Sequence, residues 1–194
     1  METLDLRCRS YDLNSMMNDA WTLNRIRKLK IFMTQRNIHP KRVLFIGDAN
    51  DVDKHLAEFV GVKYEHTGEI DLNFSFTLRP PIKMLLYDYI FCFDVLEHLM
   101  NPLLFLECLK LFKCSILLTY PRHPFVPFWG HCHFHEFSEL AFKTLIAAAG
   151  LKVVDRSTFS TKKEWWKFFN GFRPVIRFIF LMLGYPKHEI YILK

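Results

Sequence analysis

Short apolar runs alternate with amphipathic stretches along the chain, and this alternation predicts an α/β protein. The pattern predicts strands at residues 42–46, 61–65, 90–93, 114–119, 151–155 and 189–193. It predicts helices at residues 15–36, 52–60, 101–112 and 138–149. The run at 90–93 is wholly apolar, which is typical of a strand covered on both faces. We therefore expect a mainly parallel sheet with helices on both faces and an antiparallel last strand beside the strand at 151–155.

The chain is predicted to form a single domain. Its 194 residues are enough for one sizeable core. We divide it into a helical extension (1–40), a core (41–156) and an aromatic, basic cap with the last strand (157–194). The helix of the extension carries Arg25, Arg27, Lys28 and Lys30 on its second face, which we expect to be solvated.

Charge and cysteine content narrow the class of protein only slightly. The net charge of +6 weakly favours an anionic partner. The five cysteines are odd in number and no pair has C-x-x-C spacing, which indicates a reducing, cytoplasmic setting. The N-terminus is acidic where a signal peptide is basic, and no apolar run is long enough to span a bilayer.

Polar residues follow the predicted strands at their carboxyl ends, where open α/β sheets bind ligands. Gly47 allows the backbone of its turn to approach a ligand closely. An acid about 20 residues later is where such folds hold ribose hydroxyls. The residues at these strand ends are Gly47 and Asp48, then Glu65 and Asp71, then Asp94, Glu97 and His98.

Three segments carry the most specific patterns. They read Val-Leu-Phe-Ile-Gly at 43–47, Asp-Val-Leu-Glu-His at 94–98 before an Asn-Pro pair, and His-Phe-His-Glu-Phe-Ser at 133–138. In this order and spacing they resemble Rossmann-like methyltransferases that use S-adenosylmethionine, in particular their type 11 and type 23 group. The resemblance covers about residues 40 to 156 together with the last strand, and it implies that fold, activity and cofactor. It implies a cofactor site lined by Gly47, Asp48, Ala49, Cys92, Phe93 and Asp94, with Glu65 or Asp71 at the ribose.

The first loop departs from the pattern of that group. Where the group has acid-x-Gly-x-Gly-x-Gly, this chain has Phe45, Gly47, Ala49 and Asp51. Asp51 adds bulk and charge where the backbone is expected to approach the cofactor. Two interpretations stay open: a methyltransferase with weakened cofactor binding, or a methyltransferase-like binding or scaffold protein without turnover.

Methyl transfer to oxygen or nitrogen requires an oriented acceptor and often a base. His98, His133 and Glu97 are the predicted catalytic residues, and His131 is a further candidate base. We assign no metal ligand. As an alternative, Asp94, Glu97 and His98 with His131 or His133 resemble the ligand set of divalent-metal-dependent RNA or polyphenol O-methyltransferases.

The predicted acceptor is small or linked to a glycan or lipid, with methylation at oxygen. Residues 162–187 interleave aromatic and basic side chains. This segment is open to three interpretations: packing over an acceptor pocket, peripheral membrane contact, and the less favoured stacking on nucleic-acid bases.

Overall fold

The computed structural model of the chain describes residues 20–47, 51–68, 72, 86–122, 133–159 and 187–194. Its helices are α1 (Ala20–Gln35), α2 (Asp51–Val60), α3 (Pro102–Lys110) and α4 (Glu139–Ala148). Its strands are β1 (Arg42–Phe45), β2 (Lys63–His66), β3 (Tyr89–Phe93), β4 (Ser115–Arg122), β5 (Val153–Phe159) and β6 (Lys187–Leu193). A short 3-10 turn, Leu96–His98, follows β3.

The six strands form one sheet in the order β2-β1-β3-β4-β6-β5. The strands β2, β1, β3 and β4 pair with one another in parallel. β6 lies between β4 and β5 and is antiparallel to both. The predicted mainly parallel sheet with an antiparallel last strand is therefore confirmed. The strand order reverses between β1 and β3, so the topological switch point of the sheet lies there.

Alternate residues of the central strands face two separate apolar cores. On one face, Ile90 and Leu118 pack with the helices α3 and α4. On the other face, Phe91 and Leu117 pack with α1 and α2. Helices therefore cover both faces of the sheet, as the apolar run in β3 predicts.

Local capping explains where α3 and α4 begin. The Asn101 side chain accepts a hydrogen bond from the Leu104 amide at 3.1 Å, and proline occupies the first turn. Ser138 accepts from the Ala141 amide at 3.1 Å in the same way. These caps fix the two helices that follow the candidate loops at 94–98 and 133–138.

The strands β4 and β5 extend furthest beyond their predicted ends. β4 continues through Pro121 to Arg122, whereas the apolar pattern predicts that the chain leaves the sheet after Thr119. Pairing with β3 ends at Thr119, so the residues after it form an edge on that side, where proline is tolerated. β5 likewise extends to Phe159, because its pairing with β6 continues to Phe159 opposite His188 after a register shift between Val153 and Asp155.

Among the residues that the structure describes, no helix is both long and apolar enough to cross a membrane. The aromatic and basic segment 162–187 lies almost wholly outside these residues, so the proposals for it stay predictions. The division into 1–40, 41–156 and 157–194 also stays a prediction.

Candidate functional site

The candidate site lies at the carboxyl edge of the sheet, where β1 and β3 separate. Gly47 follows β1 with φ +104°, and Asp94 follows β3 with φ +52°. A Cβ atom built on Gly47 meets no atom of the described residues within 4 Å. No described residue outside the turn itself therefore fills the space beside Gly47 at the switch point, which is where α/β sheets of this kind bind ligands.

Thr67, directly after β2, holds the Gly47 turn in place. The Gly47 amide donates to Thr67 Oγ1 at 2.8 Å, and the Thr67 amide donates to the Phe45 carbonyl at 3.0 Å. Sequence reasoning missed Thr67, although threonine directly after a strand commonly bonds a neighbouring turn. Asp48 and Ala49, which are predicted to line the cofactor, lie outside the described residues.

Glu65, one of the two predicted ribose acids, pairs with Arg42 and accepts a hydrogen bond from Tyr87 Oη at 2.7 Å. Arg42 opens β1 and Tyr87 precedes β3, so this carboxylate is directed toward the amino ends of the strands. Burial and the bond to Glu65 raise the pKa of Tyr87 to about 12. This geometry disfavours Glu65 as a ribose ligand. Asp71, the other candidate, lies outside the described residues.

Asp94 is enclosed by three partners from distant parts of the chain. Arg25 Nη1 lies 2.9 Å and His188 Nε2 3.3 Å from one carboxylate oxygen. Thr119 Oγ1 donates to the other oxygen at 2.7 Å. Burial by itself raises a carboxyl pKa, but the charges of Arg25 and His188 outweigh it and hold the pKa of Asp94 well below its ordinary value. Asp94 is therefore ionised, and its carboxylate is satisfied by the protein itself.

Arg25 reaches this site from α1, outside the predicted core. It is only 8% exposed, so the expectation that it is solvated is wrong. Arg27 and Lys28 are exposed as expected. Helical spacing carries the signal that was missed, since residues four apart share a face and Leu29 is a buried core residue.

The side chains of Cys92 and Phe93 point into the two cores rather than across the edge. Cys92 is fully buried among the residues that pack with α3 and α4, and Phe93 packs on the opposite face. Burial, followed by the charges of Glu97 and Asp94, raises the pKa of the Cys92 thiol well above its usual value. If these residues line a cofactor, their backbone supplies the contact.

Glu97 joins the two predicted catalytic loops. Its carbonyl accepts hydrogen bonds from the amides of Phe134 (2.7 Å) and His135 (3.2 Å). Its side chain is buried, and Oε2 has no hydrogen-bond partner among the described residues. Burial and the neighbouring Asp94 charge raise the pKa of Glu97 well above its ordinary value. A buried carboxylate oxygen without a donor is costly, and a cation or proton relieves the cost.

The structure brings together the two histidines predicted to be catalytic. The His98 and His133 rings meet edge to face with centroids 4.8 Å apart. His133 Nδ1 lies 2.7 Å from Glu136 Oε1, and this contact orients the ring. Sequence reasoning missed Glu136, although an acid three residues after a histidine is a recognisable signal.

Glu97, His98 and His133 form a cluster in which one ligand atom from each lies within 4.8 Å of the others. Nitrogen and carboxylate oxygen atoms in this arrangement suit a divalent ion and also suit proton transfer. His131, the further candidate base, lies outside the described residues.

Solved structures share this fold. One is a SAM-dependent methyltransferase from Leishmania major, with a TM-score of 0.58 and 14% identity over 91% of this chain and 74% of that chain. A second, from Archaeoglobus fulgidus, has a TM-score of 0.56 and 14% identity over 87% of this chain and 94% of that chain. A third is the 1,6-didemethyltoxoflavin N1-methyltransferase of Burkholderia thailandensis with bound S-adenosylhomocysteine. Its TM-score is 0.53, with 13% identity over 93% of this chain and 81% of that chain.

The chain therefore has the fold of the class I SAM-dependent methyltransferases. No protein-family model matches it, and no curated protein sequence matches it.

Proposed function

We propose that the chain is an S-adenosylmethionine-dependent methyltransferase that modifies an oxygen atom of a small, glycan-linked or lipid-linked acceptor. The observation that carries this proposal is the Gly47 turn at the β1–β3 switch point, whose adjoining space no other described residue fills, on the same edge of the sheet as the His98–His133 pair. The fold supports it, since one of the similar structures was solved with the demethylated form of the cofactor.

The chain's own residues fit the cofactor and the reaction. S-adenosylmethionine supplies an electrophilic methyl group on sulfur when it is bound. No described residue outside the turn itself fills the space beside Gly47, which gives room for a ligand against the backbone. In this proposal His133, whose Nδ1 contacts Glu136 at 2.7 Å, accepts the proton that an acceptor hydroxyl loses.

Calorimetric titration with S-adenosylmethionine and S-adenosylhomocysteine tests this proposal. We expect micromolar binding by the natural chain and a loss of binding in Gly47→Ala, because the new methyl group enters the cofactor space from a left-handed backbone. Gly61→Ala is the matched control, since Gly61 also has a positive φ, +69°, but follows α2 on the far side of that helix. No binding by the natural chain at millimolar cofactor would instead favour the non-catalytic binding or scaffold protein that the altered loop suggests.

A second candidate function is divalent-metal-dependent O-methyl transfer to RNA or a polyphenol, and the Glu97–His98–His133 cluster favours it. The cluster includes a buried carboxylate oxygen without a donor among the described residues, which a cation satisfies. Asp94 is not a suitable fourth ligand, because Arg25 and His188 already contact its carboxylate. A bound ion would supply a positive charge that lowers the pKa of an acceptor hydroxyl.

Calorimetric titration with Mn²⁺ separates the metal-independent methyltransferase from the metal-dependent one. The metal-dependent enzyme predicts binding that His98→Ala abolishes and that His55→Ala, a control on the surface of α2, leaves unchanged. Absence of Mn²⁺ binding, or full methyl transfer after chelation, would remove the second candidate.

A further inference from the structure

The outward face of α1 combines cations with exposed apolar side chains. Leu23 is 52% exposed and Ile31 is 41% exposed, and Phe59 of α2 beside them is 44% exposed. These three residues, with Arg27 and Lys30, line an open groove of about 660 Å³ between the helices. Exposed apolar side chains that share one groove and are rimmed by polar residues mark an interaction surface.

The charge on this face has a single sign. The sixteen residues of α1 include four cations and no acid. One of the four, Arg25, is buried against Asp94, which leaves Arg27, Lys28 and Lys30 on the outer side. Lys30 Nζ lies 5.1 Å from the centre of the Phe59 ring, so this cation has an aromatic neighbour within the described residues. The nearby acid Glu58 lies within 3.7 Å of His55.

We propose that the outer face of α1, with Phe59, docks on an anionic phospholipid surface. Phosphate groups complement the three cations, and the acyl boundary takes up the exposed apolar side chains, as in helices that lie in a membrane interface. The phosphates of a nucleic acid would pair with the cations but would leave Leu23 and Ile31 in water. Proteins bind exposed bases by stacking aromatic side chains on them, not aliphatic ones. The combination of aliphatic and basic side chains therefore favours a lipid surface.

Docking of this kind has a consequence for the candidate site. The same helix presents Arg25 inward to Asp94, so α1 lies between the proposed lipid surface and the site. A lipid-linked acceptor is the acceptor class that such an arrangement serves. The docking proposal itself does not depend on methyl transfer.

Vesicle flotation with the full chain tests the proposal. We expect flotation with vesicles of phosphatidylcholine and phosphatidylglycerol, none with phosphatidylcholine alone, and a decrease with added salt. The double variant Leu23→Gln/Ile31→Gln should lower vesicle partitioning at least about tenfold, because two apolar anchors are removed. The double variant Arg27→Gln/Lys30→Gln should also lower vesicle partitioning, because it weakens the attraction to anionic lipid as added salt does.

A matched control is Leu140→Gln, because Leu140 is also an exposed leucine but lies on α4. It should float like the natural chain, and circular dichroism should show that all variants stay folded. The proposal is overturned if the natural chain does not float, or if the α1 variants float as well as the natural chain. It is also overturned if the same residues support salt-sensitive RNA binding while vesicles are not bound.

Discussion

The enclosed Asp94 carboxylate makes Asp94→Asn the most informative substitution for stability. The substitution keeps the shape of the side chain and an oxygen that can accept the Thr119 bond of 2.7 Å. It removes the negative charge that faces Arg25 at 2.9 Å and His188 at 3.3 Å. The nearly buried Arg25 guanidinium then loses the charge of Asp94.

The expected cost follows from this burial. Removal of one partner of a buried ion pair costs about 3–5 kcal/mol, and we expect the lower end because the Thr119 bond survives. For a chain of this length the loss corresponds to a melting temperature lower by roughly 6–12 °C. The double variant Arg25→Gln/Asp94→Asn should cost less than the sum of the two single changes. The reason is that Arg25→Gln removes the guanidinium charge that Asp94→Asn would otherwise leave facing an uncharged amide.

The pH dependence of this cost has a definite sign. The folded pKa of Asp94 lies below its ordinary value of 3.8, so its contribution to stability is fully present above that value. The contribution is lost as the pH falls through the folded pKa. The difference in free energy of unfolding between the natural chain and Asp94→Asn should therefore shrink as the pH falls below 3.8.

Urea unfolding followed by far-ultraviolet circular dichroism measures these free energies. The matched control is Asp155→Asn, because Asp155 pairs with Arg36 at 2.6 Å but the two side chains are 37% and 26% exposed. An exposed pair of this kind contributes about 0–1 kcal/mol. Equal costs for the two substitutions, or a pH-independent cost for Asp94→Asn, would refute the reasoning.

Three further predictions rest on single contacts. Thr67→Val removes the acceptor of the Gly47 amide, so it should cost about 1–3 kcal/mol in urea unfolding and weaken cofactor binding measured by calorimetry. Asn101→Ala removes the cap that accepts from the Leu104 amide and should cost about 1 kcal/mol, measured in the same way. Cys92, which is buried and has a raised pKa, should resist alkylation by iodoacetamide until the chain unfolds, as followed by peptide mass spectrometry; rapid labelling of the native chain would contradict this.

Much of the fold could be predicted from the sequence because its determinants are local. The apolar run of β3 reports burial on both faces, and the caps Asn101 and Ser138 act on amides three residues away. The carboxyl ends of β1 and β3 can likewise be located from the apolar runs alone. Because the carboxyl ends of parallel strands lie at the same edge of a sheet, Asp94 and the following residues are then expected at that edge.

The environment of each charge could not be predicted, because it depends on contacts between distant segments. Arg25, Thr119 and His188 meet at Asp94 from α1, β4 and β6. Glu65 sits at the expected distance from Gly47 in sequence, yet Arg42 draws its carboxylate toward the other end of the sheet. A pattern of residue types locates a strand end but not the partner that each side chain finds there.

The most direct test is a crystal structure of the chain grown with S-adenosylhomocysteine. The switch-point site predicts density for the ligand against the Gly47 turn, between the carboxyl ends of β1 and β3, with Thr67 still bonded to the Gly47 amide. Ligand bound elsewhere, or a Gly47 turn without ligand at saturating concentration, would contradict the proposed methyltransferase site.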